Sequence, residues 1–476
     1  MIARSSRGES ARPGWILSVL VTAVFMVTLD NLVVTTALAN IRDALGASLV
    51  HLEWVVNAYT VSFASLMLLS SAVADRYGHR RVFLGGLMIF TGSSAAAAAS
   101  PSIDALIAAR AVQGLGAAVI LPLSLTLLAA AFPADRRGLA LGIFSGVSGL
   151  GVALGPLVGG ALVQAGSWQA IFWLNVPVGV ALLALTALVL PPGQAGPRRR
   201  IDLVGATLVS AGLVGVLVAL VSVQHSPWFS PEVFLPLLTG IALLAGFVGW
   251  EARTPEPILP LRFFRSQRFV AVNLVNVAMY FGMFGAIFLL APFLQTVLGD
   301  SPWQAGIRIL PWTLMPLLIS PFAGVFTDRI GARTLVVVGM AMQAAAIAWI
   351  ALDLQVSMSF VALLGPCALG GIGMALVYPP IAATLLASVQ QDEVAPASAA
   401  MNSFRETGGA VGIAVLATMF TLAGGDTTPA GYLAGLRPAL IVAAAVLVLG
   451  AVAAGRLPGR ASRPARVAAV TAGVTR

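Results

Sequence analysis

The sequence has no lysine, three histidines and one cysteine, and charged residues make up only 9% of its 476 positions. Soluble domains carry about 25% charged residues, so this composition excludes an ordinary soluble protein. Cys367 alone cannot form a disulfide within the chain or a cysteine-based metal site. The histidines, at positions 51, 79 and 225, are too scattered to suggest a ligand cluster.

Motifs of nucleotide and cofactor chemistry are also missing. The sequence contains no Walker motif, no dinucleotide-binding glycine loop and no metal-ligand cluster. We therefore expect no cofactor, no ATP-driven step and no enzymatic activity. The net charge of +9 does not indicate nucleic-acid binding, because the arginines lie in short segments between apolar runs.

Apolar residues dominate what remains. They make up 59% of the chain, the mean hydropathy is +0.95, and runs of the roughly 20 residues that span a bilayer follow one another. The fold class is therefore an all-α polytopic membrane protein. Fourteen spans are predicted, at about 15–39, 54–73, 82–99, 104–131, 138–163, 168–190, 203–223, 233–250, 269–298, 302–325, 334–352, 358–386, 399–420 and 436–454.

The distribution of arginine orients these spans. With a cytoplasmic N-terminus, nearly all of the 27 arginines fall in segments on the cytoplasmic side, as the positive-inside rule requires. Arg42, Arg308 and Arg437 fall on the other side and Arg110 within a helix. We therefore predict both termini inside and, from the arginine-rich bacterial composition, the plasma (inner) membrane. The first apolar segment is interpreted as a span rather than a leader peptide, because Asp30 interrupts it and many spans follow.

Two pairs of motifs reveal an internal repeat. The pattern D-R-x-G-x-R occurs at 75–80 and at 328–333, and G-x-G-x-A-x-x-x-P occurs at 114–122 and 371–379. Their matching order and offsets predict two six-helix bundles related as a parallel repeat, with two inserted helices between them. The predicted domains are 1–190, 191–268 with the inserted pair and a connector, and 269–476.

A glycine ridge marks the fifth predicted helix. Small residues every four positions allow close helix contact in lipid, and the proline among them removes a backbone donor. The ridge and its surroundings consist of Gly151, Gly155, Pro156, Gly159 and Gly160, preceded by Gly138, Gly142 and Gly146 at the same spacing. Tight packing alone would account for the glycines, whereas the Gly-Pro pair is more specific.

This helix resembles the fifth-helix signature of the 14-helix drug–proton antiporters of the major facilitator superfamily. Further stretches are similar to that family at 29–38, 53–59, 71–81, 110–116 and 168–177. Ser71 replaces the usual first glycine of the loop motif, His79 replaces a common basic residue, and Glu406 stands where a neutral residue is usual. The second half has no Gly-Pro pair in its fifth-position helix.

The resemblance implies the major facilitator fold and a monomeric proton-coupled antiporter that lies in the lipid bilayer and exports amphipathic or cationic drugs or toxic organic compounds across the plasma membrane. A dedicated exporter of one endogenous metabolite, such as a self-made antibiotic, would carry the same motifs. The Gly-Pro helix argues against a proton-symport importer. A receptor or scaffold would need a soluble signalling domain, which the sequence does not contain.

Asp30 and Arg110 are the principal candidates for proton coupling. A carboxylate at bilayer depth costs about 2.5–3.5 kcal/mol on insertion scales, and proton uptake can meet part of that cost. We expect Asp30 to exchange protons or bind a cationic substrate, although a structural hydrogen bond to a neighbouring helix would also explain it. Arg110 cannot release its proton, so its predicted role is to bias a nearby carboxylate or to hold a polar network through Gln113, unless it is a purely structural cation.

Charged residues at the cytoplasmic ends are candidates for a latch that holds one transport state. They are Asp75, Arg76, Arg80, Arg81, Asp135, Arg136, Asp328, Arg329 and Arg333. Arginines at these positions also satisfy the positive-inside rule with no gating role. Glu406 is predicted as a second protonation or cation site, or as an interfacial pair with Arg405.

Candidates for the substrate cavity are polar and aromatic residues within the spans. They are Asn57, Tyr59, Gln113, Tyr280, Trp312 and Tyr378. An aromatic side chain on a membrane helix more often serves packing, so these are the weakest of the predicted sites.

Overall fold

A computed structural model of the chain describes residues 13–47, 49–165, 167–191, 202–223, 226–255, 257–390, 393–426 and 428–459. In these ranges the secondary structure is entirely helical. Residues 192–201 between the sixth and seventh predicted spans, His225, and the tail from residue 460 onward lie outside the described residues. So do the side chains of three predicted site residues, Asp135, Pro156 and Asp328.

The first half of the chain begins with a helix that is interrupted near its end. Its helices are α1 Pro13–Val33, α2 Leu38–Leu45, α3 Leu49–Tyr77, α4 His79–Ala98, α5 Ile103–Ala131, α6 Ala134–Ala165, α7 Ala170–Trp173 and α8 Asn175–Val189. A 3-10 turn at Val34–Ala37 joins α1 to α2, so the predicted first span of 15–39 ends six residues early as an α-helix.

The inserted pair and the second half follow the same pattern of long helices. They are α9 Leu203–Ser222, α10 Pro231–Glu251, α11 Gln267–Pro292, α12 Pro302–Ile330, α13 Ala332–Asp353, α14 Phe360–Ser388, α15 Val394–Leu422 and α16 Pro429–Ala454. A 3-10 turn at Leu261–Arg265 precedes α11, and a π-helical turn at Phe293–Val297 follows it.

The helices confirm an all-α polytopic architecture. Twelve helical segments within the described residues are long and apolar enough to cross a membrane. The long helices α6 and α15 are not among those twelve, so the count of fourteen spans stays a prediction.

Both copies of the D-R-x-G-x-R motif form a break between two helices, and the glycine makes that break. Gly78 has φ 93° between α3 and α4, and Gly331 has φ 94° between α12 and α13. A side chain with a Cβ rarely adopts this conformation, which explains why glycine occupies both positions. The preceding Asp75 and Arg76 lie in the last turns of α3 rather than in a loop.

The long helices of each half pack mainly against one another. In the first half α5 contacts α3 and α4, and α6 contacts α1; in the second half α11 contacts α15 and α16, and α13 contacts α14. The two halves meet most extensively where α6 packs on α12, and further where α3 packs on α15. The inserted helices α9 and α10 pair with each other, and α9 lies against both α3 and α15.

The α6–α12 contact is a backbone contact made by glycine and proline. A Cβ added to Gly142 would lie 2.5 Å from the Cα of Pro321, and one on Gly146 would lie 2.9 Å from the Cα of Leu317. Near the end marked by Gly78 and Gly331, which we call the motif end, a Cβ on Gly324 would overlap the backbone of Gly138. The first glycine set therefore joins the two halves.

The second glycine set has a different partner. A Cβ on Gly155 would lie 2.8 Å from the Cβ of Leu32 on α1, and one on Gly151 would overlap the hydroxyl of Thr28. These glycines therefore bring α6 against the helix that carries Asp30. Gly160 is different, because a Cβ there meets no atom within 4 Å among the described residues.

Candidate functional site

A hydrogen-bonded network surrounds Asp30 in the interior of the first half. The Asp30 carboxylate is fully buried and accepts three hydrogen bonds, from three different side chains. Arg110 Nη1 donates to Oδ2 at 2.6 Å, while Asn175 Nδ2 and Gln113 Nε2 donate to Oδ1 at 2.6 and 3.0 Å. Helices α1, α5 and α8 each supply part of this network.

Arg110 is held on several sides and is itself fully buried. Its Nε donates to the carbonyl of Val55 at 3.2 Å, and its Nη1 also donates to Gln113 Oε1 at 2.8 Å. The guanidinium lies over the ring of Tyr59, 4.2 Å from the centroid, in a cation–π contact. Its Nη2 has no hydrogen-bond partner among the described residues.

In this structure the Asp30 carboxylate is hydrogen-bonded to side chains on two neighbouring helices, α5 and α8. The hydrogen bond from the Arg110 guanidinium is charge-assisted, and such bonds are stronger than those between neutral groups. These three donors offset much of the cost of burying the carboxylate. The role of Asp30 in proton coupling stays a prediction.

Two members of this network were not predicted from the sequence. Asn175 donates to Asp30 and also to the hydroxyl of Ser94 at 3.1 Å, and Ser94 in turn donates to the carbonyl of Phe172 at 2.9 Å. Asn175 lies in a stretch already singled out for its resemblance, and its amide in an apolar helix was an available signal. Ser94 carries no such signal, because small hydroxyls are common in membrane helices.

A second buried ion pair lies in the other half. Arg405 Nε and Nη2 both donate to Glu406 Oε1, at 2.9 and 2.7 Å, and both residues are only 5–6% exposed. The Arg405 guanidinium lies over the ring of Tyr280 at 5.4 Å and interacts with the side chain of Tyr378. The pair is therefore buried within the protein beside aromatic residues, and its role as a second protonation or cation site stays a prediction.

The two pairs lie on helices that touch each other across the two halves. Ser403, two positions before Arg405 on α15, donates to the carbonyl of Ala64 at 3.2 Å. Ala64 follows Tyr59 on α3 by little more than one helical turn, and Tyr59 is the ring beneath Arg110. The contact between α3 and α15 therefore connects the surroundings of both pairs.

The predicted cavity residues divide between these networks. Tyr59 and Gln113 belong to the surroundings of Asp30, and Tyr280 and Tyr378 belong to those of Arg405. Trp312 is fully buried against α14, where a Cβ on Gly370 would lie 3.0 Å from its indole. The indole Nε1 of Trp312 has no hydrogen-bond partner among the described residues. Asn57 is half-buried on α3.

The predicted latch residues make contacts that stay mostly within one half. Asp75 lies 3.3 Å from His79 Nε2, Arg80 donates to the carbonyl of Ala187 at 2.5 Å, and Arg333 donates to that of Leu457 at 2.8 Å. The side chains of Arg81, Arg136 and Arg329 are exposed. Their role in gating stays a prediction.

These features define a multi-pass helical membrane protein whose two halves each enclose a buried ion pair. The family model of the Major Facilitator Superfamily matches residues 20–413 and 272–474. The chain belongs to this superfamily of membrane transporters.

Relatives and a solved structure agree with that assignment. The cephamycin export protein of Amycolatopsis lactamdurans is 38% identical, covering 90% of this chain and 88% of the relative. A multidrug resistance protein of Mycobacterium tuberculosis is 33% identical, covering 83% of this chain and 74% of the relative. The crystal structure of the human organic anion transporter MFSD10 matches with a TM-score of 0.64 at 17% identity, over 92% of this chain and 99% of that one, which shows the shared fold.

Proposed function

We propose that the protein is a proton-coupled antiporter that exports amphipathic or cationic organic compounds across the bacterial plasma membrane. The observation that carries this proposal is the buried Asp30–Arg110 pair, supported by relatives whose names refer to antibiotic export and multidrug resistance. We therefore propose that this protein belongs to the 14-helix drug–proton antiporters within the superfamily.

Asp30 is the proposed coupling carboxylate. In the ionised state it accepts hydrogen bonds from Arg110, Gln113 and Asn175. When Asp30 takes up a proton, its attraction to Arg110 falls, and the guanidinium keeps its contacts with Val55 and the Tyr59 ring. Proton uptake would thus rearrange the network between α1 and α5 and link protonation to a change of state.

Glu406 is the proposed second protonation or cation site. Its carboxylate uses one oxygen for both donors of Arg405. The guanidinium of Arg405 also lies over the ring of Tyr280 and interacts with Tyr378. Aromatic faces beside a carboxylate suit an organic cation, because the cation–π and ionic interactions act on the same charge. A substrate that carries a positive charge would compete with Arg405 for Glu406.

Alternating access is proposed to follow from the way the halves meet. We propose that residues 1–190 and 269–476 form two bundles that rock about the cavity, with 191–268 as the inserted pair and connector. The glycine and proline contact of α6 with α12 closes the motif end, which the arginine distribution assigns to the cytoplasm. The structure would then correspond to a state closed on the cytoplasmic side.

A dedicated exporter of one endogenous metabolite is the second candidate. One relative is named for cephamycin alone, whereas another is named for multidrug resistance. The buried pairs described above fit either kind of substrate. A resistance profile limited to one compound class would favour the dedicated exporter.

The test is a susceptibility profile in an efflux-deficient bacterial host, combined with transport in inverted membrane vesicles. Wild type should raise resistance to several amphipathic cations, and an uncoupler should abolish the effect. In vesicles, adding substrate should release protons. Asp30→Asn should abolish both results, whereas the same change at the exposed Asp43 should leave them intact.

Two outcomes would contradict the proposal. Efflux by wild type that persists in the presence of the uncoupler would show that protons do not drive export. Proton release by Asp30→Asn at the wild-type rate would move the coupling site elsewhere, with Glu406 as the next residue to change.

A further inference from the structure

We propose that the motif-end termini of α11, α14 and α16 form a binding site for the phosphate headgroup of an anionic lipid. A cavity of about 380 Å³ lies between them, lined by Ser266, Gln267, Arg268, Ala387, Ser388 and Arg456. A second cavity of about 400 Å³ shares three of these residues. Neither cavity includes a residue of the Asp30 or Arg405 networks, so the site is separate from the proposed transport path.

The charge of this site comes from two arginines on different helices. Arg268 lies in the first turn of α11, and Arg456 lies two residues after the end of α16. Both are exposed, and neither side chain makes a hydrogen bond or an ion pair with another described residue. The acidic residue that lines the neighbouring cavity, Glu393, is already in contact with Arg262. Among the described residues, the two arginines therefore leave this cavity with uncompensated positive charge.

Backbone groups add to this charge at one wall. The cavity includes Ser266 and Gln267, where the 26-residue helix α11 begins. The N–H groups of a first helical turn lack intrahelical acceptors and favour an anion, and guanidinium groups pair well with phosphate. A phosphate that reaches both arginines would also lie close to these N–H groups.

The surroundings favour a lipid phosphate over free phosphate. On α16, Val448 and Val452 are 51% and 70% exposed and share one face of the helix, which ends two residues before Arg456. Leu274, on the face of α11 that also carries Gln267, is 47% exposed. Apolar surface therefore leads directly to the charged cavity, as required for acyl chains attached to a bound headgroup. Basic pockets at the cytoplasmic ends of membrane helices commonly bind such lipids.

The test uses the purified full-length protein and native mass spectrometry after delipidation. Phosphatidylglycerol should bind at low micromolar concentration, and zwitterionic phosphatidylcholine should bind more weakly. Each of Arg268→Gln and Arg456→Gln should weaken phosphatidylglycerol binding about fivefold, and the double variant about 30-fold, if each arginine contributes on the order of 1 kcal/mol. Arg253→Gln removes the same charge from the end of α10, outside both cavities, and should bind phosphatidylglycerol like wild type.

Two further results would overturn the inference. Unchanged phosphatidylglycerol binding by the double variant, with its thermal stability intact, would show that the lipid binds elsewhere. Inorganic phosphate at millimolar concentration should not displace the lipid, because it lacks acyl chains. Displacement at that concentration would identify a site for free phosphate instead.

Discussion

Neutralising Asp30 is expected to destabilise the protein as well as uncouple it. Arg110 and Asp30 are both fully buried, and removing one partner of a buried ion pair costs about 3–5 kcal/mol because the other charge is left uncompensated. Asparagine retains the shape of aspartate but replaces one oxygen by an NH₂ group. That group would face either Arg110 or the two amide donors, so at least one donor must lose its acceptor.

A second substitution should separate the structural effect from the functional one. In Asp30→Asn/Arg110→Gln no buried charge remains at this site, so at least about 2 kcal/mol of the loss should be recovered, within the range of coupling energies between contacting residues. Proton coupling should stay absent in both variants. The exposed pair Arg42–Asp43 provides the control, because exposed pairs contribute about 0–1 kcal/mol.

The chain contains its own reporter of unfolding. Cys367 is the only cysteine and is 3% exposed, so a thiol-reactive dye should label it only when α14 or its surroundings open. Labelling of detergent-purified wild type and variants at increasing temperature would give their relative stabilities. Two results together would refute this reasoning: Cys367 of Asp30→Asn is labelled at the same temperature as in wild type, and the double variant loses only the sum of the stability losses of the two single variants. The ion pair would then not stabilise this state.

Three further predictions follow from the packing and the second ion pair. Gly142→Leu should insert but not transport, because the new side chain meets the backbone of α12 near Pro321. The control Gly160→Leu meets open space and should confer wild-type resistance. Equal resistance conferred by the two variants would show that the α6–α12 contact is not part of the mechanism. Glu406→Gln should weaken binding of a cationic substrate far more than of a neutral one, measured by fluorescence titration, and an equal loss would argue against a cation site. Replacing 203–251 by a flexible linker should lower thermal stability, because the Trp228–Thr418 hydrogen bond and the contacts of α9 are lost. The variant should still show measurable transport in vesicles. Complete loss of transport in a well-folded variant would place the inserted pair in the transport path.

The sequence by itself determined the class of protein and several local features. Lipid cannot hydrogen-bond the backbone N–H and C=O groups, so apolar runs of this length span a membrane as helices, which form these bonds internally. The all-α architecture therefore followed from the composition. Asp30 and Arg110 were recognisable because charges in apolar helices are costly. The glycines of the repeated D-R-x-G-x-R motif were recognisable as a pair, and their positive φ explains why that residue type recurs.

Only the tertiary structure decided which of these residues meet. Asp30 and Arg110 are 80 positions apart and Asp30 and Asn175 are 145 apart, and no periodicity within one helix reports such distances. The same limit applies to the glycine sets of α6, which have one spacing but two partners, α12 and α1. The hydropathy of a segment indicates only that it is favoured in lipid or in a protein interior over water. Which side chains meet depends on the rotation of each helix about its axis and on the angle at which the helices cross. Side-chain packing between the helices determines both the rotation and the angle.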